Sequence, residues 1–127
     1  MQRKTINIIQ KLARKIKHLE KPIHILAVCS GGRGVAKEVV KFLRKNKIDT
    51  EYYEVWTNII CGKSVIWKTD FNKNDYNGTI VIIDDVIWQG RQIRPIKKML
   101  KKMNPKKKFY VAALLDCNKK ADFSIYN

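Results

Sequence analysis

The stretch TIVIIDDVIWQGRQIRPIKKML, from Thr79 to Leu100, decides the fold. It begins with a β-branched apolar run, Ile80 to Ile83, which is typical of a strand buried on both faces of a parallel sheet. Two acids, Asp84 and Asp85, follow this run, and a loop with a single glycine, Gly90, comes next. A helix is then indicated by apolar residues at helical spacing, namely Ile93, Ile96, Met99 and Leu100.

Ligands of open α/β sheets bind beyond the carboxyl ends of the strands, where Asp84 and Asp85 are expected to lie. Carboxylates at this position can accept hydrogen bonds from ribose hydroxyls. The free N–H groups at the start of the following helix can hold a phosphate. The pattern therefore favours a sugar-phosphate site, and the alternative is an acidic strand end that only caps a helix.

A second strand, turn and helix come earlier in the chain. IHILAV, from Ile23 to Val28, predicts a buried strand, and the glycine-dense turn SGGRG follows at Ser30 to Gly34. Glycines allow backbone N–H groups to turn toward one side and form an anion-binding nest, to which Arg33 adds a positive charge. The turn is neither GxGxxG nor a P-loop, which disfavours dinucleotides and nucleoside triphosphates as ligands.

These two motifs together resemble the type I phosphoribosyltransferases, which bind 5-phosphoribosyl-1-pyrophosphate (PRPP). Four apolar residues, two acids and a Gly-containing loop are similar to the ribose-phosphate signature of that family. DDVIWQGRQIR, with Trp88 and Arg94, and the tripeptide Arg33-Gly34-Val35 most resemble the branch of the pyrimidine-operon attenuator and its uracil phosphoribosyltransferase activity. The resemblance covers residues 22 to 123 in order.

The resemblance implies one α/β domain over residues 1–127, with a mainly parallel sheet of about five strands flanked by helices and a reduced hood. It implies that a base nitrogen displaces pyrophosphate from PRPP with the help of Mg²⁺. Asp84 and Asp85 would be the catalytic residues that hold ribose and Mg²⁺, through water or PRPP. The 5′-phosphate would bind Trp88, Gln89, Gly90, Arg91 and Gln92, and the pyrophosphate would bind Ser30, Gly31, Gly32, Arg33 and Gly34.

Other implied positions are less closely matched. Phe123, beside an acid, is expected to stack on the base, and Lys63 and Lys68 are candidates to reach pyrophosphate from a mobile loop. Gln89 and Gln92 replace the hydroxyl residues that normally flank Gly-Arg in the family. Trp88 stands where oxopurine-specific members usually carry an aspartate, and an indole cannot transfer a proton, so a pyrimidine or a noncatalytic member is favoured.

Composition limits the remaining possibilities. The three cysteines are widely spaced and include no CxxC, which indicates a reducing, cytoplasmic location, and no apolar run is long enough for a membrane helix. The net charge is +16, from 27 Lys and Arg against 11 acids. This charge attracts polyanions, including RNA, although a lysine-rich surface is also a common compositional feature. The densest basic run comprises Lys97, Lys98, Lys101, Lys102, Lys106, Lys107 and Lys108.

Two functions are therefore expected for this chain. The first is a PRPP-dependent nucleobase phosphoribosyltransferase of nucleotide salvage, expected to form a homodimer because so short a chain would borrow cover from a neighbour. The second is a noncatalytic sensor of PRPP or nucleotides that binds RNA through its lysines.

Neither of the two histidines, His18 and His24, joins a cluster of metal-ligating residues.

The remaining secondary structure follows from local patterns. Residues 3–19 predict an amphipathic helix, residues 49–56 a partly exposed strand, residues 64–67 a short hairpin strand, and residues 109–115 a buried strand.

Overall fold

The computed structural model describes residues 1–127 and contains three helices and six strands. The elements in chain order are α1 (Arg3–Ile16), β1 (Ile23–Cys29), α2 (Arg33–Lys45), β2 (Thr50–Ile60), β3 (Lys63–Thr69), β4 (Thr79–Ile87), α3 (Ile93–Met103), β5 (Phe109–Asp116) and β6 (Phe123–Tyr126).

All six strands form one sheet in the order β3-β2-β1-β4-β5-β6. Every neighbouring pair is parallel except β2 and β3, which form an antiparallel hairpin at one edge. The predicted mainly parallel α/β fold is confirmed. The sheet has one strand more than the five expected, because the short β6 adds to β5 at the other edge.

The sheet separates two apolar layers. Ile25 and Ala27 of β1 pack under α1 and α2, whereas Leu26 and Val28 pack under α3. All seven residues of β1 are buried, as expected for a central parallel strand covered on both faces. No helix of the structure has the length and apolar character needed to cross a bilayer.

Several predicted elements differ in extent from those observed, including the hairpin strand, which covers Lys63–Thr69 rather than residues 64–67. The first helix ends at Ile16 rather than at residue 19, although Leu19 still packs on the core. The strand predicted to end at Trp56 continues to Ile60, because its exposed end is paired with β3 through Ile60 and Lys63.

The connections place a crevice between β1 and β4. The chain leaves β1 through α2 and returns as β2 on one side, and it leaves β4 through α3 and returns as β5 on the other side. Because β1 and β4 are neighbours and their crossovers diverge, the turns after them border the switch point of the sheet. The glycine turn and the Asp84–Gln92 segment therefore meet at one edge.

The entry into β4 depends on Gly78, which has a φ of +59°. A Cβ at Gly78 would lie 2.0 Å from the carbonyl oxygen of Pro22, and Thr79 N donates to this same oxygen at 3.0 Å. The turn before β4 is thus packed directly on the segment before β1, and this contact sets the register of the two central strands.

We expect Gly78→Ala to lower the free energy of unfolding by roughly 3 kcal/mol or more, because the added methyl group meets backbone that cannot move aside. Gly62→Ala is the matched control, since Gly62 also has a positive φ (+77°) but nothing lies within 4 Å of its added Cβ. That control should cost about 1 kcal/mol. Urea unfolding measures both values, and equal losses would contradict the role given to Gly78.

Candidate functional site

Asp84 is the buried acid of the pair after the apolar part of β4. Its side chain is 5% exposed, and its Oδ1 accepts a hydrogen bond from Asp85 N at 2.8 Å. Burial, together with the neighbouring Asp85 carboxylate, raises the pKa of Asp84 to about 8. At neutral pH Asp84 therefore retains a proton and can donate a hydrogen bond as well as accept one.

Asp85 points to the opposite side of the strand and is half-buried. Its Oδ1 accepts a hydrogen bond from Val86 N at 2.8 Å, and its Oδ2 has no donor within the protein. A Cβ at Gly31 would lie 3.0 Å from Asp85 Oδ1. The carboxylate thus lies directly against the glycine turn that follows β1.

Gly32 brings this turn onto the backbone of β4. A Cβ at Gly32 would lie 2.5 Å from the carbonyl oxygen of Ile83 and 2.9 Å from Asp84 Cα. Real Cβ atoms do not approach this closely, so only glycine allows the turn to pack here. The sequence-predicted groups Ser30–Gly34 and Asp84–Asp85 are therefore adjacent in space.

The loop between β4 and α3 surrounds a cavity of about 230 Å³. Asp84, Ile59 and the residues from Val86 to Ile93 line it. The backbone amides of residues 89–93 donate to no acceptor within the protein. These free N–H groups lie at the start of α3, where the helix dipole also favours an anion.

The glycine turn offers further free amides. Gly32 N donates to Val28 O at 2.7 Å and Arg33 N donates to Ser30 O at 3.2 Å, whereas the amides of Gly31 and Gly34 have no partner. The Cys29–Ser30 peptide bond at its start is cis. The Arg33 guanidinium is not free, because its Nε donates to Glu54 Oε2 at 2.7 Å.

A third loop, from Cys117 to Asp122, borders the site, and the resemblance implied that its residues from Lys120 onward form the base-side loop. Asn118 Nδ2 donates to the carbonyl oxygen of Trp88, and the Lys120 side chain lies beside Gly90. Asp116 shapes this loop by accepting hydrogen bonds from the amides of Lys120 and Ala121 at 2.9 and 2.8 Å. Burial opposes ionisation of Asp116, but these amide donors hold its pKa below the usual range.

The signal for this third loop was present in the sequence. Because β5 is parallel to β4, the residues after its carboxyl end lie at the same edge of the sheet. Lys120 is thereby brought to the loop between β4 and α3, as a cation without an ion-pair partner.

The structure does not bring Phe123 to this cavity. Phe123 begins β6 opposite Ala112 of β5, and its ring packs on Tyr110 with a centroid distance of 5.7 Å under the helix pair. A residue at the start of a parallel strand lies away from the carboxyl edge, which explains the difference from the expectation. The aromatic group at the cavity is instead Trp88, whose side chain is 66% exposed.

The two candidate lid lysines lie apart. Lys63, at the tip of the β2–β3 hairpin, lines a groove together with Arg91 and Arg94 of the segment that follows β4. Lys68 is exposed on β3 and pairs with Trp56 across the ladder. His24 is buried in β1, where Asn77 Oδ1 lies 2.6 Å from its Nε2 and the rings of Tyr53 and Phe71 lie nearby.

The protein supplies only some of the ligands that a metal ion would need at this site. No group of three or more His, Cys, Asp or Glu side chains could hold a metal. Asp85 Oδ2 nevertheless accepts no hydrogen bond within the protein and lies 3.3 Å from the position of a Cβ added to Gly31. This one free carboxylate oxygen fits Mg²⁺ that arrives with phosphate oxygens and water as most of its ligands.

This chain resembles known proteins in its fold rather than in its sequence. No family model and no curated protein matches the sequence. The purine phosphoribosyltransferase of Pyrococcus horikoshii superposes with a TM-score of 0.78 at 21% identity, over 99% of this chain and 84% of that one. A hypoxanthine-guanine phosphoribosyltransferase of Bacillus anthracis gives a TM-score of 0.77 at 20% identity, over 95% and 75%.

The hypoxanthine phosphoribosyltransferase of Trypanosoma cruzi, solved with its product IMP, gives a TM-score of 0.76 at 14% identity, over 96% and 74% of the two chains. The chain has the type I phosphoribosyltransferase fold. Identities this low establish that fold alone, so the chemistry of this chain has to be argued from its own residues.

The raised pKa of Asp84 makes stability depend on pH. Its carboxyl group has a pKa near 3.8 when unfolded and about 8 when folded. The folded state therefore holds the proton more tightly, and stability is present in full below pH 4 and is lost as pH rises toward 8. We expect Asp84→Asn to remove this loss and to raise the free energy of unfolding by roughly 1–3 kcal/mol at pH 8.5.

At pH 4 the Asp84→Asn variant and the wild type should be equally stable. Asp49→Asn is the control, because Asp49 is exposed and its side chain has no partner. Denaturant unfolding at the two pH values tests this, and a variant that is less stable than wild type at pH 8.5 would contradict a protonated Asp84.

Proposed function

We propose that this protein is a PRPP-dependent nucleobase phosphoribosyltransferase. The observation that carries the proposal is the contact between two turns with free amides, one after β1 and one after β4. The Gly31 side of the first turn touches Asp85, and five consecutive amides of the second turn, from Gln89 to Ile93, have no acceptor. PRPP carries phosphate groups at both ends of one ribose, which matches this arrangement.

In this proposal, different residues bind different parts of PRPP. Trp88 to Gln92 and the start of α3 bind the 5′-phosphate, while Ser30 to Gly34 bind the pyrophosphate. Asp84 donates and Asp85 accepts hydrogen bonds at the ribose hydroxyls between them. Each charge-assisted hydrogen bond of this kind contributes roughly 1.5–3 kcal/mol.

Departure of pyrophosphate from the ribose leaves positive charge on the sugar and negative charge on the pyrophosphate. Mg²⁺ bound with PRPP would neutralise part of that negative charge, and the Asp85 carboxylate would hold it through ribose hydroxyls or water, while Asp84 donates to a ribose hydroxyl. The chain itself supplies the amides of the glycine turn to the leaving group. It also supplies the Asp85 carboxylate, which favours positive charge on the nearby ribose.

A pyrimidine, with uracil first, is the base that Trp88 supports best. The indole is exposed at the mouth of the cavity next to Ile59 and Val86, so it offers an apolar face on which a base can stack. No carboxylate stands at this position to exchange a proton with a purine ring. The attenuator-like branch of the family is thus favoured over the oxopurine branch in our proposal.

The exposed apolar side chains at this edge also support the proposed homodimer, in which a second subunit would cover the open side of the site. The three cysteines, Cys29, Cys61 and Cys117, are unpaired, which supports the proposed cytoplasmic location.

Incubation of the purified protein with PRPP, Mg²⁺ and one base at a time tests the activity. The bases are uracil, orotate, adenine, guanine, hypoxanthine and xanthine. We expect nucleotide to form with one base, and uracil to be that base. Chromatographic detection of the nucleotide and of released pyrophosphate measures the reaction.

Asp85→Asn should reduce PRPP affinity at least 100-fold, because the acceptor at the ribose and at Mg²⁺ loses its charge. Asp49→Asn removes the same charge far from the site and should bind PRPP as the wild type does. Calorimetric titration of PRPP with Mg²⁺ distinguishes the variants. Wild-type protein that does not bind PRPP would rule out the proposal.

A cationic groove supports RNA binding as a second candidate function. It has a volume of about 510 Å³ between the hairpin tip and α3, and its charged lining residues are Lys63, Arg91, Arg94 and Lys98. No acidic residue occurs between positions 86 and 115, so none of the charge on α3 is neutralised along the helix. A flexible phosphodiester chain fits an open groove of this charge.

RNA binding through this groove should depend steeply on salt. We expect Arg94→Ala combined with Lys98→Ala to weaken binding of a 20-nucleotide oligouridylate and to reduce the slope of log affinity against log salt by about 1.4, since each single-strand phosphate contact contributes about 0.7. The matched control is Lys41→Ala with Lys45→Ala on α2, across the sheet. Filter binding at several salt concentrations measures both, and equal slopes would contradict a role for the groove.

A further inference from the structure

Arg33 and Glu54 form the one ion pair of the structure, in a chain with 27 basic and 11 acidic residues. Arg33 is the first residue of α2 and belongs to the glycine turn, whereas Glu54 lies on β2 opposite Ala27 of β1. Their Nε and Oε2 atoms are 2.7 Å apart. Exposed ion pairs alone add little to stability. This pair at the glycine turn therefore indicates a role in the function of the site.

Glu54 is fixed from several sides, independently of Arg33. Tyr52 OH donates to its Oε2 at 2.7 Å, and Trp56 Nε1 donates to its Oε1 at 3.2 Å. Asp70 Oδ1 also accepts from the backbone N of Glu54 at 2.9 Å. The Tyr52 hydrogen bond contributes most to a lowered pKa of Glu54, although burial opposes it, and Arg33 and Trp56 act in the same direction as Tyr52.

The Tyr52 and Trp56 side chains that donate to Glu54 are themselves fixed by packing. Tyr52 and Trp56 both pack against the apolar cluster under α1 and α2, and the Trp56 ring lies 5.9 Å from that of Trp67. Glu54 is therefore a rigid acceptor, whereas the Arg33 side chain is half-exposed and would otherwise move freely in solvent. Fixing a long side chain in advance reduces the entropy lost when it binds a ligand.

Only the Nε of Arg33 is used in this pair. The Nη groups make no hydrogen bond of good geometry within the protein, although the Tyr52 hydroxyl lies near the guanidinium, so both remain available to an anion. The amides of Gly31 and Gly34 in the same turn are also free. An anchored guanidinium beside free amides is suited to a doubly charged phosphate group, which accepts hydrogen bonds from two N–H groups at once.

We propose that Glu54 is a positioning residue for pyrophosphate: it holds Arg33 by Nε so that both Nη groups bind pyrophosphate at the Ser30–Gly34 turn. The inference deepens the proposed function and rests on its assignment of pyrophosphate to this turn. It gives a specific role to an acid that stands near an anion site, where its charge alone would weaken binding.

Titration of inorganic pyrophosphate with Mg²⁺ into the full chain tests the inference. Glu54→Gln should weaken pyrophosphate binding about 5- to 10-fold, because the neutral amide no longer fixes Arg33. Glu51→Gln is the matched control: Glu51 lies on the same strand, is exposed and has no side-chain partner. That control should bind pyrophosphate as tightly as wild type or slightly more tightly.

The two substitutions remove the same charge, so a purely electrostatic effect would increase the affinity in both. A loss confined to Glu54→Gln therefore indicates positioning. In an Arg33→Ala background, Glu54→Gln should cause no further loss, since Glu54 acts through Arg33. Binding of ribose 5-phosphate, which uses the turn after β4, should be unchanged in Glu54→Gln.

If Glu54→Gln also loses ribose 5-phosphate binding through wider damage, Arg33→Lys decides the question. Its ammonium can still pair with Glu54 but has no second nitrogen to offer, so pyrophosphate binding should again fall about 5- to 10-fold. Wild-type affinity in Arg33→Lys, or in Glu54→Gln, overturns the inference, as does wild-type protein that does not bind pyrophosphate. The expected Glu54 effect without turnover of any base supports the inference and rejects the transferase.

Discussion

The close contact of Gly32 with the backbone of β4 is the constraint on which the site depends. Because Gly32 has no side chain, the turn after β1 can lie against Ile83 O and Asp84 Cα, at distances that exclude any Cβ. The same contact brings Gly31 to the Asp85 carboxylate. Two turns with free amides are therefore held at a fixed separation by backbone packing, without a contribution from flexible side chains.

This packing also explains why Asp84 and Asp85 lie in different surroundings. Asp84 lies under the loop on the α3 side and loses contact with water, so its pKa rises to about 8. Asp85 lies on the other side of the strand, against an exposed turn, and keeps one free oxygen. A protonated Asp84 can donate a hydrogen bond as well as accept one, and Asp85 Oδ2 beside it is free to accept one. Arg91, Arg94 and Lys120 place positive charge along the loop between β4 and α3 that follows this pair.

The sequence predicted those parts of the fold in which burial alone determines the pattern. The runs Ile23–Val28 and Ile80–Ile83 are continuous and apolar because helices cover both faces of β1 and β4. The end of β2 was missed, since Asn58 to Ile60 are exposed and are ordered only by pairing with β3. Phe123 was assigned to the base because an aromatic beside an acid fits that role, but its position depends on β6 pairing with β5, which four residues do not reveal.

Side-chain partners across the sheet were equally inaccessible to sequence reasoning. Arg33 was expected to add a positive charge to the glycine turn, but the sequence did not reveal its Nε partner Glu54, which lies 21 positions later on a different strand. Lys120 reaches the loop between β4 and α3 because Asp116 folds the loop after β5 back with two amide hydrogen bonds. Such contacts arise from the topology of the sheet, and no local spacing of residues encodes them.

Gln89 and Gln92 are the main departure from the pattern that the fold normally carries, and their surroundings indicate what they change. Both side chains are exposed, so neither fills the cavity of about 230 Å³ nor occupies the amides of residues 89–93. The backbone donors and the start of α3 can therefore still bind a phosphate. The missing hydroxyl groups remove donors that would fix its orientation, and orientation matters more for the rate of transfer than for binding. If PRPP binds here as proposed, Gln89 and Gln92 leave the backbone donors for its phosphate in place but lack the hydroxyl groups that would orient its reacting carbon.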